Sequence, residues 1–141
     1  MKLKFYGAAH EVGRSCILVE SGNTKVLLDC GVKLGEKEEY PLISDEEIKN
    51  IDAIIITHAH LDHVGYVPHV FSTGWTGHVY STKPTFELSN VLISDYIRIS
   101  NPSNITKEGL ARMQRGFKLM EYHKEFQIKD IKVRLIPAGH I

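Results

Sequence analysis

Cysteine is scarce in this chain. Cys16 and Cys30 are the only two among 141 residues, and no CxxC spacing joins them. That excludes a disulfide framework and the usual thiolate zinc sites. Each lies in an apolar run and reads as a buried, reduced thiol. No sign of charge predominates: Lys+Arg and Asp+Glu both total 17. A polyanionic partner would therefore be recognised by a local patch or by bound metal, not by the overall field. No apolar run approaches the roughly 20 residues needed to cross a bilayer, so no membrane partner is expected. The opening Met1-Lys2-Leu3-Lys4-Phe5-Tyr6 lacks a signal-peptide core, and the expected location is cytoplasmic. Repeats, linkers and low-complexity tracts are absent too. What remains is ordinary for one modest globular domain, with 43% hydrophobic and 24% charged residues.

The patterning predicts strands over 3–6, 15–20 and 25–30, the last two forming a hairpin around Ser21-Gly22-Asn23-Thr24. Ser44-Asp45-Glu46-Glu47 fits a capping box, so a short helix starts there. A strand over 51–56 follows, then a short helix over 64–72 closed by Gly74, and a strand over 78–82. Pro84 marks the start of a helix running to about Ser100. Leu110, Met113, Phe117 and Met120 recur at helical spacing and predict a second helix over 106–120. Residues 126–128 and 131–136 read as a final hairpin around Lys129-Asp130. The order predicts an α/β fold with a mixed β-sheet and flanking helices. A strand that runs almost to the last residue predicts that the chain is one part of a longer protein.

The chemistry is concentrated in Thr57-His58-Ala59-His60-Leu61-Asp62-His63, directly behind the apolar run 51–56. Imidazole nitrogen and carboxylate oxygen are both zinc ligands. His58 and His60 lie two apart, so extended backbone points both to one side. Asp62 and His63 follow where the chain turns into a helix, and the turn can aim them at a second nearby point. One loop can thus serve two metals, as in binuclear hydrolases. Gly65 permits close backbone approach behind the cluster.

This segment resembles the signature loop of the metallo-β-lactamase superfamily. Leu27-Leu28-Asp29-Cys30-Gly31 is similar to that family's first motif, and Pro137-Ala138-Gly139-His140 to its third. The resemblance implies that His58, His60 and His140 bind one zinc, and that Asp62 and His63 bind a second. It also implies that Asp29 orients the cluster and, with Asp62, belongs to the catalytic machinery. Within the superfamily, Gly7-Ala8-Ala9-His10-Glu11-Val12-Gly13-Arg14-Ser15-Cys16 resembles the opening of the β-CASP nucleases. That branch includes ribonuclease J and the endonuclease of the pre-mRNA cleavage and polyadenylation factor. His60 to Pro68, Thr82-Lys83-Pro84-Thr85 and Asp95 to Ser100 resemble the same branch.

The resemblance implies a zinc-dependent hydrolase of RNA phosphodiester bonds. It also implies that residues 1–141 are the N-terminal half of an αββα sandwich. The β-CASP insert and the C-terminal half, with a bridging Asp and a further His, would lie beyond it. The second zinc site is then incomplete here. An uncovered inner sheet face, with Leu18, Leu28 and Ile55, is expected to drive self-association or pairing with a complementary half. Two other readings stay open. One is a different hydrolase of the superfamily, such as a glyoxalase-type thioesterase, against which residues 7–16 argue. The other is a non-catalytic half that needs a partner chain. The remaining candidates read more plainly: His69 and His78 as exposed or helix-capping, His123 as surface. Arg112, Arg115 and Lys118 read as a solvated helix face, and His10 as a loop residue that could border the site.

Overall fold

The first strand, Lys2–Gly7 (β1), lies antiparallel on Cys16–Ser21 (β2), which in turn pairs antiparallel with Thr24–Leu28 (β3). The computed structural model of the chain describes residues 1–140. β3 then pairs in parallel with Ala53–Ile55 (β4), β4 with His78–Ser81 (β5), and β5 with Phe117–Leu119 (β6). The result is one six-stranded mixed sheet in the order β1-β2-β3-β4-β5-β6. Glu125–Ile128 (β7) and Ile131–Arg134 (β8) form a separate two-stranded hairpin.

The helices connect the parallel strands, as a parallel pair requires. Asp45–Ile48 (α1) begins with the expected capping box. The Glu47 amide donates to Ser44 Oγ, and the Ser44 amide donates back to the Glu47 carboxylate. Leu61–Val64 (α2) and Val67–Ser72 (α3) divide the helix expected over 64–72. The helical backbone starts earlier, inside the histidine segment, and restarts after Tyr66 with Pro68 in its first turn. Lys83–Ser100 (α4) starts behind the Thr82 cap and ends at Asn101 in a left-handed conformation (φ 45°).

Lys107–Gly116 (α5) is shorter than the spacing of Met113, Phe117 and Met120 predicts. The helix stops at Gly116 and the chain turns into β6. A ladder with the open edge of β5 (Val79 opposite Phe117) satisfies backbone groups there, which outweighs helical continuation. Gly116 packs directly on the Phe71 ring, where a Cβ would overlap it.

The sheet buries both faces. On one, Leu18, Leu27, Ile54 and Val79 pack against Val67, Val70, Phe71, Ile93 and Met113 of the helices. On the other, Val26, Ala53 and Ile55 meet Ile128, Phe126 and Val133 of the β7–β8 hairpin, with Tyr80 and Phe126 stacked at 5.1 Å. The hairpin is tied down at its turn. Thr24 Oγ1 donates to the Asp130 carboxylate, and Lys129 pairs with Asp52.

This corrects the expectation of an uncovered face at two of its three residues. Leu18 is 4% exposed and faces the helices, Ile55 is 6% exposed beneath the hairpin, and Leu28 is half-buried against it. The open parts are the edge strands: Leu3 and Phe5 of β1 and Leu119 of β6, each about half exposed. His69 also departs from expectation. It stacks on Tyr66 at 4.5 Å, and its two ring nitrogens lie 3.1 Å from the Asp45 carboxylate and 3.2 Å from the Asn104 carbonyl. It joins α1, α3 and the α4–α5 connection. No helix is long and apolar enough to cross a membrane among the described residues.

Candidate metal centre

The parallel strands β3, β4 and β5 all end on the same side of the sheet, where loops of α/β folds gather their functional groups. β3 is followed at once by Asp29, whose backbone enters the left-handed region (φ 60°) and breaks the ladder. Its amide still donates to Ile55 O at 2.9 Å. β4 continues through Ile56, whose amide donates to Tyr80 O at 3.0 Å. At the next position the strand partner is replaced by a side chain: the Thr57 amide donates to Asp29 Oδ1 at 2.8 Å. The chain then turns through extended His60 into α2.

Backbone bonds lock this turn against Ser15, just before β2, and against the segment after β3. Ser15 N donates to Asp62 O at 2.8 Å, Cys30 N to His63 O at 2.7 Å and Val32 N to Leu61 O at 2.9 Å. Gly31 allows that approach, since a Cβ there would overlap the Asp62 carbonyl and the His63 amide. Gly65 plays a similar part against Val32.

Three imidazoles converge above the turn. His58 Nε2 lies 3.2 Å from His60 Nδ1, and His140 Nε2 lies 3.3 Å from the same atom. Four ligands at zinc–nitrogen distances of about 2.0–2.1 Å in a tetrahedron stand about 3.3 Å apart. The spacing fits three nitrogens aimed at one point, and ligand atoms of the three residues all lie within 4.8 Å of one another, a group able to hold a metal ion. Their donors are imidazoles, the common nitrogen ligands of zinc.

Asp62 and His63 form the second group. His63 Nε2 is 3.6 Å from Asp62 Oδ2, and the His63 ring sits 3.9 Å from that of His58, centroid to centroid. Two ligands leave the coordination of a second ion to other donors.

Asp29 organises both groups. It is buried (4% exposed) and accepts from His63 Nδ1 at 2.7 Å, from the Thr57 amide and from Thr57 Oγ1. Ser15 Oγ stands at the limit of contact, 3.5 Å away. The Thr57 hydroxyl lies 3.0 Å from His58 Nδ1. With its proton given to Asp29, Thr57 can accept from His58 Nδ1–H. Both His58 and His63 then present Nε2 lone pairs outward, the tautomer a metal ligand needs.

The electrostatics differ across the cluster. Burial, then repulsion from His63, pushes the His58 pKa below its usual value. Burial also opposes a proton on His63, but the hydrogen bond and charge of Asp29 outweigh it and the net shift is upward. Cys30 is raised well above the usual thiol value by its hydrogen bond with Cys16 and by burial. Both are free and buried, as expected of reduced core thiols.

Every ligand candidate read from the sequence, His58, His60, Asp62, His63 and His140, lies in this cluster, with Asp29 beneath it. Thr57 and the close approach at Gly31 were not foreseen. Their only sequence signals are position, one immediately before His58 and the other two residues after Asp29. His10 sits in the glycine-bounded loop with φ 60°, and no hydrogen bond or ring contact links it to the cluster among the described residues. That loop is held instead by a charge quartet. Arg14 pairs with Glu11 at 2.7 Å, and Lys33 pairs with Glu11 at 3.1 Å and Glu39 at 3.0 Å. Arg112 pairs with Glu108 on its own helix. Arg115 stands near His78, at the opposite end of β5 from the cluster.

Comparison with known proteins follows the same outline. The family model described as the metallo-beta-lactamase superfamily matches residues 11–131. The whole chain aligns with the probable RNase MJ4 of Methanocaldococcus jannaschii at 38% identity, covering 34% of that protein. It aligns over its whole length with transcription termination factor FttA of the same organism at 44% identity, covering 24%. Cleavage and polyadenylation specificity factor 73 of Drosophila melanogaster is 32% identical over the whole chain, covering 22%. The chain thus spans between about a fifth and a third of the length of these relatives. A solved structure of a protein of unknown function from Enterococcus faecalis superposes with a TM-score of 0.68. It covers 98% of this chain and 37% of the other at 17% identity, a likeness of fold.

Proposed function

The chain belongs to the metallo-beta-lactamase superfamily, and on that premise we propose that it is the N-terminal, metal-holding part of a zinc-dependent hydrolase of RNA phosphodiester bonds. The observation that carries this reading is the convergence of three imidazoles, with His60 Nδ1 3.2 Å from His58 Nε2 and 3.3 Å from His140 Nε2 and ligand atoms of all three within 4.8 Å of one another. The names of the relatives supply the substrate: a probable RNase and a cleavage and polyadenylation factor.

In this reading His58, His60 and His140 hold one zinc, and Asp62 and His63 give two ligands to another. Bound there, zinc supplies Lewis acidity that activates water and offsets charge on a phosphoryl oxygen. The protein's own residues do the rest. Asp29 fixes the His63 ring through Nδ1, and Thr57 fixes His58, so little reorganisation is left when ligands bind. Asp62 acts as a ligand. The rest of a longer polypeptide completes the second metal's coordination and covers Leu3 and Phe5 of β1. A compartment with access to RNA follows, and cytoplasm is the one proposed.

One observation favours a second reading for the isolated chain, that of a metal-binding half without turnover: the second group offers only Asp62 and His63. Metal analysis with an RNA-cleavage assay on the chain separates the two, with His58→Ala as control. Two zincs per chain with cleavage that His58→Ala abolishes supports a self-sufficient hydrolase. One zinc without cleavage supports the half. Hydrolysis of a thioester but not of RNA would overturn the nuclease reading altogether.

A further inference from the structure

Cations in this chain are mostly held by carboxylates. Arg14, Arg98 and Arg112 each pair with an acid, and so do Lys33, Lys49 and Lys129. Arg115 is exposed and makes no ion pair among the described residues. It lines a cleft of about 380 Å³ between the end of α5 and the loop that joins α3 to β5. Arg112 and His78, both exposed, line it too, and no carboxylate does. His78 begins β5, so this cleft lies at the end of the parallel strands opposite the metal ligands. His78 pairs with Ala53, and the chain from Ala53 to His58 spans roughly 16 Å where extended.

Glycine shapes the cleft. Gly74, Gly77 and Gly116 all line it. A Cβ on Gly77 would overlap the Trp75 ring, and one on Gly116 the Phe71 ring, so both backbones rest on buried aromatic side chains. At Gly74 (φ 89°) a Cβ would meet nothing. The amides of Thr76 and Gly77 bond to no backbone carbonyl among the described residues. Bare backbone of this kind lets a ligand approach closely. The end of α5 opposes an anion, since the last carbonyls of a helix carry about half a unit of negative charge. Arg115 alone exceeds that. Arg112 gives Nη2 to Glu108 and keeps its other donors.

We propose that this cleft is a phosphate-binding site separate from the metal centre. Arg115 and Arg112 grip the phosphoryl oxygens, and His78 and the backbone of Thr76 and Gly77 complete the cradle. One guanidinium fork would suffice for a planar carboxylate. Two guanidiniums, an imidazole and unspent amides suit the tetrahedral oxygens of a phosphate. That phosphate can be a free anion or part of an RNA strand, and its chemistry is the same. The site stands apart from the hydrolase reading, because no metal ligand takes part in it.

The test is titration of the isotope-labelled full chain, followed through its amide and arginine side-chain resonances. The probes are inorganic phosphate, AMP and a short single-stranded RNA. Saturable shifts are expected at the Thr76 and Gly77 amides and at Arg115 Nε. Arg115→Gln is expected to weaken phosphate binding roughly tenfold. Arg115→Lys should recover only part of that, because the fork is lost. Arg115 is exposed, and thermal melts check that the variants fold. RNA that saturates these resonances at lower concentration than AMP supports the site and assigns it to a strand. Phosphate or AMP binding as tightly as RNA supports it and assigns it to the free anion. Shifts that are absent or confined to the metal ligands overturn it. So does saturation unchanged in Arg115→Gln, or tighter binding of a poly-glutamate peptide than of any phosphate probe.

Discussion

The Asp29 carboxylate accepts a 2.7 Å hydrogen bond from Nδ1 of His63, a residue thirty-four positions further along the chain. The contact joins the end of β3 to α2 and sets which nitrogen of His63 is free. It also explains why an acid is buried in an apolar sheet: Asp29 has several donors, among them the Thr57 amide and hydroxyl. A buried carboxylate is tolerable only when so paired.

Replacing Asp29 with Asn keeps the shape and removes the charge. The His63 ring then loses its strongest partner. Zinc affinity of the Asp29→Asn chain is expected to fall about 10–100-fold. Competition with a chromogenic chelator measures it, and an affinity equal to the parent would show that Asp29 does not orient the cluster.

Gly31 makes a sharper case, since no chemistry is lost there. A methyl group on Gly31 would occupy the space of the Asp62 carbonyl, so the histidine turn must move away from the segment after β3. The bonds Ser15 N to Asp62 O and Cys30 N to His63 O are the ones at stake. Gly31→Ala is expected to destabilise the fold by about 1–3 kcal/mol, the range of core overpacking. It should also weaken zinc binding. Urea denaturation and chelator competition on one preparation test both, and a variant with normal stability would mean the turn can yield without strain.

The cluster was legible in the sequence because ligand types at the ends of apolar runs have few other uses. His58, His60, Asp62 and His63 fall within six residues behind one such run, while Asp29 and His140 were legible through the family resemblance. The capping box at Ser44 and Glu47 was legible for the same reason, being a local rule with local partners. Less legible were outcomes decided across the fold. Phe117 fits a helical stripe, and only the unpaired edge of β5 draws it into β6. The cover over Ile55 comes from the β7–β8 hairpin, whose turn is held by Thr24 and Asp52, more than seventy residues away. Thr57 carries no signal of its own, because its role exists only once Asp29 and His58 are on either side of it.

Glu47 predicts how stability responds to acid. Its carboxylate is drawn down to about 2, first by the Lys4 ammonium at 2.6 Å, then by the Ser44 amide and the Tyr6 hydroxyl. A lowered folded-state value means that the contribution is complete above the unfolded carboxylate range. It is lost as pH falls from there toward about 2. The side chain is 37% exposed, so screening reduces the effect to on the order of 1 kcal/mol. Glu47→Gln should therefore be less stable than the parent near neutrality, and the gap should narrow through roughly pH 4 to 2. Urea midpoints of the two chains over that range decide it. A gap that stays constant would assign the loss to the capping box alone and not to the charge.

At Gly116 two rules oppose each other. It closes α5, and alanine in a helix is favoured over glycine by about 1 kcal/mol. A Cβ there, however, would overlap the Phe71 ring, which is buried and packed edge-on against Trp75 at 5.2 Å between centroids. Overpacking of this kind costs about 1–3 kcal/mol, and the gain in propensity is at its smallest at a helix end. Packing should therefore win, and Gly116→Ala is expected to lower the thermal midpoint. The double variant Gly116→Ala with Phe71→Leu should recover part of that loss, since the smaller side chain vacates the space the methyl group needs. If Gly116→Ala raised the midpoint, the contact with Phe71 would have to be loose enough to yield.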